Sequence, residues 1–265
     1  MTPTSVFDWP ALSVQLQGLP GLVVAFSGGV DSTVLLAAAL EVLGRDKVVA
    51  VLADSPSLAR AEKEDALRIA HALGATLQIL DTRELEDPRY RANSGDRCFW
   101  CKEQLFTFAA PIASERGWPL AYGENASDVG DHRPGARSAA LRGVLAPLRE
   151  AGWHKEQVRA FAAARGLDVA EKPAAPCLAS RVAVGVEVDL DILEQVESLE
   201  SALKERGYRI LRARHLGGAS GALEFEASEM PRATAEWSAL QVLAAEHGFS
   251  DCSLRTYRSG SVAQA

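Results

Sequence analysis

The stretch LVVAFSGGVDST, residues 22–33, decides how the rest of the chain is read. Leu22–Phe26 is a short apolar run with β-branched residues, which predicts a buried strand of a parallel sheet. Ser27-Gly28-Gly29-Val30-Asp31-Ser32 follows, and the Ala- and Leu-rich segment Thr33–Leu43 predicts a helix. Gly28 and Gly29 let the backbone turn tightly with its N–H groups facing inward. Ser27 and Ser32 add hydroxyl donors, and the start of the helix contributes the positive end of its dipole. These residues make an anion cradle. It is not a Walker loop, because the Gly-x-x-x-x-Gly-Lys-Ser/Thr pattern and its lysine are absent. A ligand-free Gly-Gly turn is the plainer reading.

Working outward, Lys47–Ala53 predicts a second strand, Ala59–Leu73 a helix stopped by Gly74, and Thr76–Leu80 a third strand. This alternation gives an α/β fold, a parallel sheet with helices on both faces. Asp54 falls at the C-terminal edge of that sheet, where such folds bind ligands; backbone contacts to adenine are expected there, and a plain loop carboxylate is the alternative. Asp81–Arg97 breaks the rhythm. A helix is expected from Arg97 to about Ala110, a strand over 119–123, a loop over 124–137 and a helix over 154–165. Residues 171–185 read as irregular, so the domains are placed at 1–185 and 186–265. The second predicts a small α+β domain: helix 190–206, strands 208–214 and 223–227, helix 233–247 and strand 250–257.

The chain has 265 residues, 48% of them hydrophobic and 24% charged, enough for a sizeable core. Its 35 acidic against 28 basic residues leave a formal charge of −7, which argues against a broad nucleic-acid footprint. No secretory pattern opens the chain and no run is apolar enough to span a membrane, so the cytoplasm is the expected address.

Four cysteines then carry chemistry: Cys98, Cys101, Cys177 and Cys252. Without an export signal, metal binding or catalysis is expected before disulfides. Cys98 and Cys101 form a C-x-x-C pair at a helix start, and Cys177 can close the same metal centre from a distant loop. Three thiolates would leave one iron of a [4Fe–4S] cluster open for a further sulfide. Zinc with His132 or Cys252 as fourth ligand, a redox pair and reduced structural thiols are the other readings. Around Cys177, two prolines stiffen the approach, while Ser180 and Arg181 can hold an anionic substrate or lower the thiol pKa. Cys252 shares a strand face with Leu254 and reads as a core or interfacial residue. Arg212 and Arg214 alternate on a predicted strand and so point to one face, where they can grip a phosphate or sit solvated. Glu200 on the preceding helix is a weaker metal candidate.

The SGGVDS motif resembles the pyrophosphate loop of the ATP pyrophosphatases, which cut ATP between the α- and β-phosphates. Together with RCFWCK at 97–102, GENASDVGDHRPG at 123–135, PCLASRV at 176–182 and RILRARH at 209–215, it resembles the LarE family of ATP-dependent sulfur transferases. The resemblance implies that Ser27, Gly28, Gly29, Asp31 and Ser32 bind ATP, with Asp31 holding Mg²⁺. It implies a small-molecule nucleotide substrate, a pyridinium-3,5-dicarboxylate mononucleotide whose carboxylates are adenylated. Sulfur at Cys177 would then displace AMP, and the protein would be a homo-oligomer. Some members of that family sacrifice one cysteine, while others carry three and are thought to use a cluster. Cys98, Cys101 and Cys177 put this chain with the second type. It departs from the family pattern at Glu124-Asn125-Ala126-Ser127-Asp128 and at His132, which leaves the contacts of Asp128, Asp131 and Arg133 open. A tRNA thiolase shares the loop, but the acidic balance counts against it. An amidating ligase would leave the three cysteines without a role, and a non-catalytic nucleotide-binding module comes last.

Overall fold

The computed structural model describes residues 6–128 and 134–258; Asp131, His132 and Arg133 lie outside them. In chain order the elements are α1 (Trp9–Leu16), β1 (Leu22–Ala25), α2 (Val30–Leu43), β2 (Val48–Asp54), α3 (Arg60–Leu73) and β3 (Thr76–Asp81). Next come α4 (Pro88–Arg91), α5 (Arg97–Arg116), β4 (Leu120–Tyr122), α6 (Pro134–Leu141), α7 (Pro147–Glu150) and α8 (Lys155–Ala164). The chain continues with α9 (Leu190–Glu205), β5 (Leu211–Gly217), β6 (Ser220–Phe225), α10 (Met230–Ala235), α11 (Trp237–Glu246) and β7 (Asp251–Thr256).

The described residues divide into two units, one from 1–84 and 98–175, the other from 85–97 and 176–265. In the first, four parallel strands run in the order β3-β2-β1-β4. All four residues of β1 are buried, as a central parallel strand covered on both faces requires. On one face Leu22 and Val24 join a core with Val34, Leu35, Trp153 and Phe161; on the other Val23 packs with Val49, Val51 and Ala109. The unpredicted α1 lies under this core, capped by the Asp8 carboxylate on the Ala11 N–H. Helix α5 runs past the expected end near 110, through Pro111 to Arg116. A proline removes only its own backbone donor, and Phe106, Ala109 and Ala113 bury the face that keeps the helix going.

The second unit has the sheet β5-β6-β7, with β5 and β6 antiparallel and β6 and β7 parallel. Its edge differs from the expected boundary after residue 185. The Asn93 amide donates to the carbonyls of Ala183 (2.8 Å) and Val186 (3.1 Å), and Val188 N–H donates to Arg91 O (2.8 Å). These ties draw residues 85–97 and 176–188 together, a pairing that no local pattern announces. Strand β5 begins three residues later than Tyr208, and the expected helix over 233–247 is broken at Glu236 into α10 and α11. No helix among the described residues is long and apolar enough to cross a membrane.

Candidate active site

The residues after β1 build a compact loop. Gly28 has φ +72°, and a Cβ there would lie 2.9 Å from Cα and Cβ of Ala66 on α3, so glycine is required twice over. Gly29 is the N-cap of α2, whose first turn is Val30, Asp31 and Ser32, starting three residues earlier than the sequence predicts. As Gly29 has no side chain to cap it, the N–H groups of that turn stay open to an anion. Ser32 Oγ accepts from Ser27 N–H (3.2 Å), donates to Gly29 O (3.1 Å) and lies 3.2 Å from Ser27 Oγ. The two hydroxyls therefore close the loop on itself.

Asp31 faces two partners that sequence reading missed. Its Oδ2 accepts from Lys155 Nζ at the start of α8 (2.5 Å), and its Oδ1 from the Asn125 amide (3.0 Å). Asn125 lies in a motif singled out from the sequence; nothing in the pattern links residue 155 to residue 31. Beside them Glu124 is buried, accepting from Tyr122 Oη (2.6 Å) and Arg149 Nη1 (2.6 Å). Burial and the neighbouring Glu124 carboxylate push the Tyr122 phenol well above its usual pKa. Gly123 holds this loop against α2: a Cβ on it would meet Ser32 N at 2.7 Å. A cavity of about 310 Å³ opens here, lined by Cys98, Lys102, Tyr122, Gly123, Glu124 and Asp128.

Asp54, at the end of β2, is held by Arg60 Nη1 (2.7 Å) and by Lys63. Burial raises its pKa, but the hydrogen bonds from Lys63 and Arg60 outweigh that and hold it below the usual value. Its carboxylate is therefore committed to α3, which leaves backbone groups for a ligand.

In the second unit Arg181 is buried and grips Glu200 with two bonds, Nε–Oε1 at 2.9 Å and Nη2–Oε2 at 3.1 Å. Glu200 also accepts from Ala213 N–H (3.1 Å). It is 3% exposed, contrary to the expectation of a solvated helix carboxylate. Arg214 pairs with Glu224 (2.9 Å) and donates to Ser180 O (3.0 Å). Arg212 alternates with it on β5, half-buried, its guanidinium 5.1 Å from the Tyr257 ring centroid. Burial and the nearby Arg181 charge depress the Arg212 pKa. An anion arriving beside this half-buried cation would gain more than at the surface.

None of the four cysteines is in a disulfide. Cys98 is exposed and Cys101 half-buried in the first turn of α5, one turn apart on the same side; Cys177, half-buried, belongs to the second unit. Cys252 on β7 is half-buried, and burial pushes its thiol up to about 11. Among the described residues no group of three or more His, Cys, Asp or Glu side chains is placed to hold a metal ion. Asp31 supplies a single carboxylate, which suits Mg²⁺, since that ion takes one or two protein oxygens and fills its shell from phosphates and water.

The NAD synthase family profile matches residues 5–94. A protein of Synechocystis is 39% identical over 193 residues, 72% of either chain. The pyridinium-3,5-bisthiocarboxylic acid mononucleotide synthase of Lactiplantibacillus plantarum is 34% identical over 204 residues, 77% of this chain and 74% of its own. An NH₃-dependent NAD⁺ synthetase of Pyrobaculum aerophilum is 32% identical over 174 residues, 62% of this chain and 64% of its own. A self-closed phosphate loop at the head of a parallel sheet, joined to that identity across most of the synthase, places the chain: it belongs to the LarE family of PP-loop ATP pyrophosphatases.

Proposed function

We infer that the protein is an ATP-dependent sulfur transferase acting on a pyridinium-3,5-dicarboxylate mononucleotide. The observation that carries this reading is the likeness to a synthase named for the bisthiocarboxylate product. The chemistry needs two steps. A substrate carboxylate oxygen attacks the α-phosphorus of ATP, the bond to the bridging oxygen breaks, and pyrophosphate leaves. A sulfur nucleophile held at Cys177 then attacks the acyl carbon, a C–S bond forms, and AMP departs with the former carboxylate oxygen. Two rounds give the bisthiocarboxylate.

The open N–H groups of α2, with Ser27, Gly28, Gly29 and Ser32, would bind the leaving pyrophosphate. Asp31 would hold Mg²⁺ against it, and the ion would supply charge neutralisation there. Lys155, released from Asp31, would add a cation to the phosphates. Asp54 would border the adenine through its backbone. Arg212 would bind the substrate phosphate, with Arg181 and Arg214 fixed beside it by Glu200 and Glu224. Cys98, Cys101 and Cys177 would hold a [4Fe–4S] cluster, which when bound supplies iron-held sulfide.

The first test is anaerobic incubation with Mg-ATP and the dicarboxylate mononucleotide, read by mass spectrometry. One oxygen-to-sulfur exchange with AMP formed supports the reading; AMP without exchange, or exchange in Cys177→Ala at the wild-type rate, refutes the sulfur role of Cys177. Iron and acid-labile sulfide of about four each per chain support the cluster, and zinc alone refutes it. The NAD synthetase likeness favours a second reading, amidation. Adding ammonia to the same incubation separates the two, because an amide product would appear only there.

A further inference from the structure

Helix α3 touches three functional segments of its unit, and one contact has no role in the reaction as outlined. Arg60 and Lys63 in its first turn hold Asp54, and Ala66 packs against Gly28 of the phosphate loop. Glu62 and Asp65, one turn and less from Ala66 along the same face, both receive Lys172: Nζ lies 2.8 Å from Glu62 Oε2 and 3.0 Å from Asp65 Oδ2. The Lys172 side chain is only 15% exposed. Burial lowers its pKa, but hydrogen bonds to the two carboxylates more than reverse this, so the ammonium persists. The same segment is tied twice more. Arg68 donates to Asp168 (3.1 Å), and Arg159 donates to Ala170 O and to Lys172 O (3.0 Å).

Lys172 is followed by Pro173-Ala174-Ala175-Pro176 and then Cys177. Prolines fix φ and shorten the list of conformations the link can adopt, so an anchor at Lys172 is felt at Cys177 instead of being lost in slack chain. We propose that Lys172 is a positioning residue, whose double ion pair to Glu62 and Asp65 anchors the Cys177-bearing segment to the helical turn that packs on the phosphate loop. The role rests on the reading of Cys177 as the sulfur-transfer position. Acyl transfer from a bound adenylate depends on near-attack geometry, so loss of the anchor slows the sulfur step and leaves nucleotide binding untouched.

The test uses the full chain. In Lys172→Met, hydrogen exchange of the peptide spanning Gly166–Cys177 rises about tenfold as the segment opens locally. Turnover falls about tenfold or more, with KM for ATP within about twofold of wild type. Lys172→Arg, which keeps a cation able to reach both carboxylates, restores exchange and kcat. Wild-type exchange in Lys172→Met overturns the proposal, as does raised exchange with unchanged kcat, or a rise in KM for ATP matching the loss of kcat. If Lys172→Met does not fold, Glu62→Gln removes part of the anchor from the opposite side and is read the same way. Wild-type turnover in Cys177→Ala would defeat the donor reading alone, because the exchange measurement reports the anchor independently of sulfur transfer.

Discussion

At Gly28 the phosphate loop depends on a hydrogen atom in place of a side chain. With φ at +72° and Ala66 at 2.9 Å from an added Cβ, Gly28→Ala combines backbone strain of about 1–2 kcal/mol with overlap against α3. The loop must open to relieve it. ATP affinity measured by calorimetry should fall at least about tenfold, a change of about 1.4 kcal/mol, and unchanged affinity would show that the loop does not carry the nucleotide. Arg181 poses the opposite problem, since a buried charge there is matched by a buried charge. Removing one partner leaves the other stranded, so Arg181→Met should cost about 3–5 kcal/mol in urea unfolding. The double change Arg181→Met/Glu200→Leu removes both charges and should regain most of that stability. If Arg181 also serves the substrate, the double variant stays inactive although it is stable; recovered turnover would reduce the pair to a structural one.

Among the elements, β1, α2 and α3 were legible because burial and helical spacing coincide with residue type: four buried residues in β1, and Ala66, Ile69 and Ala70 on the inner face of α3. Strand β5 was misplaced for a physical reason. Tyr208 looks like a strand residue, but its ring packs 4.5 Å from the Phe225 centroid and its hydroxyl donates to Glu236 (3.0 Å), which fixes it in the turn before the strand. Glu236 accepts from Tyr208 and Arg232 at the junction of α10 and α11, so the break between those helices arises from contacts distant in sequence. The cysteine pair was legible as a spacing, while the contrast with Cys252 needed the fold. With its thiol pushed up to about 11, Cys252 is only about 0.1% thiolate at pH 8. Peptide mass spectrometry after brief iodoacetamide treatment of the metal-free protein should find Cys98, which is exposed, modified well before Cys252. Equal rates would mean that β7 opens readily.

For the molecule as a whole, the phosphate loop could be read from six consecutive residues, but the groups around it could not. Lys155 reaches Asp31, and Asn93 draws 85–97 to 176–188, only because the chain returns on itself. The second unit also carries an acid sensitivity invisible in the sequence. His215 on β5 is 3% exposed, its ring edge-on to Phe249 with centroids 5.6 Å apart, and its Nδ1 accepts from Gly217 N–H (3.3 Å). Burial depresses its pKa, partly opposed by the Asp189 charge. A depressed folded value means the unfolded chain takes up the proton first. The stability contributed by neutral His215 is therefore complete above the unfolded value of about 6.5. It is lost as pH falls from there through the folded value, at no more than about 1.4 kcal/mol per pH unit for one proton. His71 and His154 belong to the first unit, so the loss through His215 should appear in unfolding of the second. Melting followed between pH 7.5 and 5.5 should show Tm falling with pH in the wild type, and His215→Asn, which keeps an acceptor for Gly217 but cannot take up the proton, should flatten that slope. An identical slope in the variant would move the acid-sensitive group elsewhere in the fold.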